Sequence, residues 1–394
     1  MDQTTRLQPL TSLRFVAAMM IVALHSSNYF PDAAMFRSVP LHHGVSFFFV
    51  LSGFILSHAY SNRQTDYWAF LGSRFARLWP THLVTLLAVL FFIRADSRQF
   101  PGTGFFDPIV VFISNLTLTQ SLVPYINYTF SWNSVSWSIS TEMFFYIAFP
   151  FLLVGFNKNW PIKIAISIAF IGLYAVIAQA FHIPVASVEL TDLTVTYMTY
   201  ASPLFRGFEF VLGMLVYLGW RRLVQTEFKI GTTLEIAAVA LLIYWMIDGI
   251  YRFNFLFNWN GTINLWYGNS GSAFVCAIVI FVFAGGTGLL GRFLSLRPLI
   301  WLGEISFALY MCHQIIMKWM WLKSLEGKLT LPPVWVGVLL CIAVAALLHH
   351  QVELRAQKFL KQLGRKMRSG RTVAVLHAQG RHEVVEADGV SRPS

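Results

Sequence analysis

The sequence predicts an all-α integral membrane protein of about ten transmembrane helices, with the N- and C-termini cytoplasmic. Three observations predict it. Of 394 residues, 56% are hydrophobic and 12% are charged, about half the charged share of a soluble domain; mean hydropathy is +0.59. The apolar residues gather into runs close to the roughly 20 residues a helix needs to cross a bilayer. The basic residues fall between those runs. The net charge of +11 therefore reads as membrane topology, and no nucleic-acid partner is expected.

The spans fall near 10–29, 43–60, 79–95, 137–155, 164–181, 203–219, 232–250, 270–288, 299–321 and 332–350. The first apolar run, Phe15 to Leu24, follows a short polar start and reads as a retained span rather than a cleavable signal. Segment 109–123 is apolar but interrupted by Asn115, Thr117, Thr119 and Gln120. If it does not cross, the inside loops hold Arg63, Arg74, Arg77, Lys158, Lys163, Arg221, Arg222, Lys229, Arg292 and Arg297. The outside loops then keep Arg37, Arg94, Arg98, Arg252, Lys323 and Lys328. If it crossed, every later loop would flip and the bias of Lys and Arg towards the cytoplasm would fail. The segment is expected to be re-entrant or interfacial. Residues 351–394 read as a basic cytoplasmic tail, with Gly370 to Ser394 disordered. Cys276, Cys312 and Cys341 lie in apolar stretches without metal or disulfide spacing, so no metal is expected.

An ionisable side chain at membrane depth costs about 3 kcal/mol or more, so each is a functional candidate. Counting from the span ends puts His25, Glu142, Arg206, Glu209 and His313 at one outer level. A second set, Arg14, Arg74, Arg77, Arg292 and Arg297, lies at the inner face. Guanidinium groups in that number suit a phosphorylated ligand. Arg14 and His25 share one helix, and eleven residues at 1.5 Å rise separate them by about 16 Å on nearly one face. That distance is comparable to an extended pantetheine arm. An acyl-CoA held by its phosphates inside could present its thioester near His25, with the acceptor arriving from outside.

Transfer of an acyl group from a thioester to a hydroxyl needs a base, and histidine titrates near neutrality. His25 is the candidate base or a transient acyl carrier. Glu142 is expected to orient its imidazole or offset its charge. Arg206, Tyr146 or His313 could stabilise the developing oxyanion. Arg206, Glu209, His313 and Tyr146 are the candidate substrate contacts.

Five stretches carry a resemblance: RFVAAMMIVALH from Arg14 to His25, GVSFFFVLSGFIL from Gly44, RFARLWP from Arg74, SWSISTEMFFY from Ser136 and GEISFALYMCH from Gly303. In this order they resemble the membrane acyltransferase 3 family, bacterial O-acyltransferases of surface polysaccharides and related lipids. The resemblance implies ten spans in a transmembrane acyltransferase domain over 1–350, in the inner (plasma) membrane. It implies acyl-CoA, most often acetyl-CoA, as co-substrate and no metal. The acceptor would be a polysaccharide or lipid-linked glycan. Arg14 and His25 would be essential, Arg74 and Arg77 donor contacts, and Glu142 near the centre. Ser46 stands where relatives often carry Asp. The hydrolase-like domain fused to some members is absent, so a separate extracytoplasmic partner protein could take its place.

Blander readings stand beside these. Arg14, Arg74 and Arg77 could be snorkelling topology markers. Arg206, Glu209 and His313 could form a packing network. His42, His43, His349 and His350 read as solvated ends, and Phe47 to Phe49 as lipid-facing bulk. A transporter of an anionic or glycan substrate could use the same buried charges without chemistry; it would leave acetyl-CoA intact.

Overall fold

In the computed structural model, residues 7–63, 66–104, 106–226, 229–360 and 362 are described. The principal helices are α1 Gln8–Ser26, α2 Gly44–Tyr60, α3 Tyr67–Phe92, the short α4 Pro108–Leu116, α5 Trp137–Leu153 and α6 Phe156–Ala180. They continue with α7 Pro203–Val224, α8 Thr232–Tyr244, α9 Gly261–Ser270, α10 Ala273–Gly285, α11 Arg297–Leu325 and α12 Val334–Leu348. Among the described residues, nine helical stretches have the length and hydropathy to cross a membrane. The chain is a multi-pass α-helical membrane protein.

The tenth expected span is α5, whose 17 residues make about 26 Å of helix. Helix direction shows that it counts as a crossing. Thr11 of α1 meets Gly303 of α11, and further along His25 meets His313, so these helices run parallel. Likewise Ser46 meets Glu209 and Ser61 meets Tyr217, so α2 and α7 run parallel. Elements with the same direction have an odd number of crossings between them. Between α2 and α7 that requires α3, α5 and α6 to cross and α4 not to. Helix α4, with nine residues, is only about 14 Å long and packs against the single turn Ile126–Phe130. The expectation for segment 109–123 therefore holds: it does not cross.

Several boundaries differ from expectation. Helix α3 begins at Tyr67, twelve residues before the predicted 79, capped by the Asp66 side chain accepting from the Ala69 N–H at 2.8 Å. The RFARLWP motif thus lies inside a helix, and Pro80 deprives the Ala76 carbonyl of its helical partner. The seventh span continues from α8 through a π-turn at Trp245–Gly249 to Leu256. The eighth runs from Gly261 and is broken between α9 and α10. Beyond α12 a π-turn at His349–Glu353 leads the last stretch to Leu360, past the expected tail boundary at 350. The disorder expected for Gly370 to Ser394 lies outside the described residues.

Backbone-to-backbone contacts at glycines fix the frame that carries the site. A Cβ on Gly53 would sit 2.0 Å from the Phe210 carbonyl oxygen, and one on Gly213 1.9 Å from that of Val50. A Cβ on Gly303 would sit 1.9 Å from the Thr11 carbonyl oxygen. In lipid there is no hydrophobic drive between helices, so close backbone packing through small residues holds them together. The α2–α7 and α1–α11 pairs are locked in this way. Their registers place Ser46 on Glu209 and His25 on His313.

Candidate functional site

The site residues fall into two compartments at opposite ends of α1. The first is a cavity of about 220 Å³ lined by Arg14, Arg74, Arg77, Ser52, Glu142 and Tyr146, with Phe48, Phe49, Phe307 and Tyr310 closing its deeper end. Arg14, Arg74 and Arg77 are half-buried. Arg74 is shared with the Tyr60 hydroxyl at 3.2 Å and lies over the Tyr60 and Phe70 rings. Among the described residues, Arg14 and Arg77 make no hydrogen bond or ion pair. Glu142 is held by the Tyr146 hydroxyl, which donates at 2.5 Å, and by the Ser52 hydroxyl at 3.1 Å. Three guanidinium groups face one carboxylate, so the cavity carries excess positive charge suited to a phosphorylated ligand. Its volume is below the roughly 300–1,000 Å³ of complete small-molecule sites, which suits an arm rather than a whole nucleotide.

The second compartment is a pocket of about 280 Å³ lined by His25, Arg98, Phe100, Trp132, Asn133, Gln314 and Lys318. It reaches the surface at Asn28 and Pro101. His25 lies in the last turn of α1, half-buried. Its Nδ1 is 2.8 Å from Nε2 of the fully buried His313, and the two rings stack at 5.1 Å between centroids. His313 Nδ1 in turn lies 2.8 Å from the Tyr310 carbonyl and 3.1 Å from that of Leu309. A carbonyl only accepts, so His313 Nδ1 carries the hydrogen. In the neutral pair His313 Nε2 is then the acceptor and His25 Nδ1 the donor. The lone pair of His25 is thereby assigned to Nε2, at the pocket wall. His313 thus sets the tautomer of His25.

Among the described residues, the two cavities share no lining residue. Tyr310 lines the first and sits one helical turn from His313. Its hydroxyl is latched to the Ser138 hydroxyl at 2.8 Å and the Val135 carbonyl at 3.1 Å. Phe48 packs edge-on against its ring, with centroids 6.1 Å apart.

The predicted meeting of five ionisable groups at one level is corrected. Glu142 belongs to the arginine cavity, and His313 rather than Glu142 orients His25. Arg206 and Glu209 are fully buried and line neither compartment. Arg206 Nη1 binds Glu209 at 2.7 Å, the Asn269 carbonyl at 2.8 Å and the Ser270 hydroxyl at 2.9 Å, beneath the rings of Phe49, Trp137 and Tyr200. It ties α7 to the break between α9 and α10, while Arg206 Nε and Nη2 and Glu209 Oε2 stay without partners among the described residues. Ser46 donates to Glu209 at 3.3 Å, so its hydroxyl takes part in this network. Arg292 and Arg297 are exposed, away from the cavity. Phe47 and Phe49 are buried core, not lipid-facing bulk. His43 is buried, and His349 is buried against Glu353 at 2.9 Å, so neither is a solvated end.

A family model described as an acyltransferase domain matches residues 10–350. The chain belongs to this acyltransferase 3 family. It is 27% identical over 398 residues to the acyltransferase MdmB of Streptomyces mycarofaciens, covering 92% of this chain and 94% of that protein. It is 23% identical to the O-acetyltransferase OatA of Staphylococcus aureus (strain NCTC 8325 / PS 47), over 80% of this chain and 52% of that protein. To the putative peptidoglycan O-acetyltransferase YrhL of Bacillus subtilis (strain 168) it is 25% identical, over 89% of this chain and 55% of that protein. The chain thus spans about half the length of the last two. No solved structure matches it. Within this acyltransferase the missed residues are Phe48, Phe49, Trp132, Asn133 and Tyr310. Tyr310 stood inside the GEISFALYMCH stretch, one turn before a flagged histidine, and that spacing could have found it.

Proposed function

We propose that this acyltransferase takes an acyl group, acetyl by preference, from cytoplasmic acyl-CoA. It delivers the group to a hydroxyl of an extracytoplasmic polysaccharide or lipid-linked glycan, at the inner (plasma) membrane. The arginine end of the bundle faces the cytoplasm in this reading, with both termini. The loops at that end carry Lys158, Lys163, Arg221, Arg222 and Lys229, as the positive-inside rule expects. Arg14, Arg74 and Arg77 hold the phosphates of the donor, and its arm follows the cavity towards Tyr310. The OatA and YrhL names support an O-linked acetyl product.

The observation that carries the reading is the free lone pair on His25 Nε2, set by the carbonyl–His313–His25 chain. His25 Nε2 takes the proton of the acceptor hydroxyl as that oxygen bonds to the thioester carbon. The carbon–sulfur bond breaks, and the proton passes from His25 to the departing sulfur. For this step the Tyr310–Phe48 partition must part. The test is the full chain in lipid nanodiscs with acetyl-CoA and a glycan acceptor, followed by free-thiol release and the mass of the glycan. Wild type should add 42 Da per transfer, the mass of an acetyl group less one hydrogen (about 42), and His25→Ala should not. Acetyl-CoA left intact by wild type would overturn the proposal and favour a transporter.

A further inference from the structure

The pocket at His25 is built from more than the reaction needs. Two cations, Arg98 and Lys318, line it, and no carboxylate does. Each has backbone carbonyls as partners: Arg98 Nε and Nη2 cap Ile93 at 2.9 Å and Leu90 at 2.8 Å, and Lys318 Nζ donates to Ser97 at 2.5 Å. Arg98 Nη1 and two of the three Lys318 hydrogens remain for a ligand.

The wall opposite is held in place at some cost. Trp132 has a left-handed backbone with φ +60°, a conformation a bulky side chain adopts only under constraint. Its N–H is tied to the Arg98 carbonyl at 2.5 Å, and its ring lies beneath the Arg98 guanidinium at 5.9 Å. The neighbouring Phe100 N–H is tied to the Ser131 hydroxyl at 2.9 Å. Two lining residues also carry buried polar atoms without partners among the described residues: Trp132 Nε1 and Asn133 Oδ1. Asn133 is 1% exposed and anchored by its Nδ2 to the Met311 carbonyl at 3.1 Å. A buried donor and a buried acceptor left open beside two cations describe a site for a polar, anionic guest.

We propose that this pocket is the acceptor subsite and that it recognises an anionic sugar, with a carboxylate or phosphate bound by Arg98 and Lys318 beside the open polar atoms of Trp132 and Asn133. This rests on the acyl-transfer reading for what happens next, but recognition itself does not need the donor. The bound charge anchors the sugar so that one of its hydroxyls meets His25 Nε2. A neutral sugar would lack the charge-assisted bonds, which are about twice as strong as neutral ones.

The test is calorimetric titration of the full chain in nanodiscs, without donor, with three probes: methyl β-D-glucoside, methyl β-D-glucuronide and methyl β-D-glucoside 6-phosphate. At least one anionic probe should bind about tenfold or more tightly than the glucoside; which one does so separates carboxylate from phosphate recognition. Lys318→Gln should bring the ratio close to one, while His25→Ala should keep it. Equal affinities in wild type, no anionic binding at about 10 mM, or a preference untouched by Lys318→Gln would overturn the inference. The wild-type comparison stands even if a variant fails to fold. A preference seen with no acetyl transfer to any glycan would sink the acyl-transfer reading and leave the anion site intact.

Discussion

His313 makes the sharpest prediction, because its role differs from that of a second catalytic base. Its ring joins two hydrogen bonds in series, 2.8 Å to the Tyr310 carbonyl and 2.8 Å to His25 Nδ1. Replacing it with leucine removes the acceptor for His25 Nδ1–H. A part-buried donor is then left unpaired, at a cost of about 1–3 kcal/mol. His25 can also relax to the tautomer that places its hydrogen on Nε2, where it cannot accept a proton. If that penalty falls on the reacting state, kcat/KM falls about 5- to 150-fold. His313→Gln keeps a carbonyl acceptor on the side chain and should recover most of the loss. The assay is thiol release from acetyl-CoA in nanodiscs at saturating glycan. KM for acetyl-CoA should stay unchanged in both variants, because His313 lines no part of the arginine cavity. Wild-type activity in His313→Leu, or a loss expressed in donor KM, would refute the tautomer argument.

Arg14→Gln and Arg77→Gln should each raise donor KM about tenfold or more, since a hydrogen bond to a charged group is worth about 1.5–3 kcal/mol; Arg74→Gln should do less, because Arg74 is shared with Tyr60. Tyr310→Phe removes the latch to Ser138 and Val135. It should raise acceptor-independent hydrolysis of acetyl-CoA several-fold, measured as thiol release without glycan, at about 1 kcal/mol per lost bond. Glu235 is fully buried and accepts from the N–H groups of Gly288 at 3.0 Å, Leu290 at 3.0 Å and Gly291 at 3.2 Å. Glu235→Gln should cost about 2–3 kcal/mol, read as a lower Tm in detergent, with KM values unchanged in the folded fraction. Arg206→Met should destabilise by about 3–5 kcal/mol, because Glu209 loses its counter-charge, whereas Arg206→Met with Glu209→Leu should recover much of it.

The spans were legible because each must present nearly 20 apolar residues, a signal that needs no knowledge of neighbours. Helix starts were less so. Hydropathy falls at Arg74 and Arg77, yet α3 continues back to Tyr67, and the Asp66 cap was the readable sign. Phe49 was misread because lipid and protein interior demand the same apolar side chain. The Arg14 and His25 pairing was visible because both lie on one helix. The His25–His313 pair was not, since 288 residues separate its members and their register is set by packing of α11 on α1, such as Gly303 on Thr11. Glu235 escaped because one carboxylate in an apolar run barely moves a hydropathy window. The glycines at 286, 288 and 291, where a Cβ would lie within 2.7 Å of that carboxylate, were its sequence trace.

The separation of the two compartments bears on how such an enzyme avoids wasting its donor. Water reaches the His25 pocket through the surface at Asn28 and Pro101. A base in contact with water and an exposed thioester would hydrolyse it. The Tyr310 latch lies between the arginine cavity and the histidine pair one turn away, so on the proposed reading a donor arm would wait beside a closed wall. Opening that wall costs two hydrogen bonds and the Phe48 edge contact, about 2–3 kcal/mol in all. An acceptor that fills the His25 pocket expels the water before the wall opens. Tyr310 shares its helix with His313, Gln314 and Lys318, three groups at or beside the acceptor pocket. On the proposed reading, an acceptor in that pocket would touch the same helix that carries the latch. The arrangement favours transfer with both substrates present over prior acylation of His25, because an acyl-histidine formed at an empty pocket would face the same water.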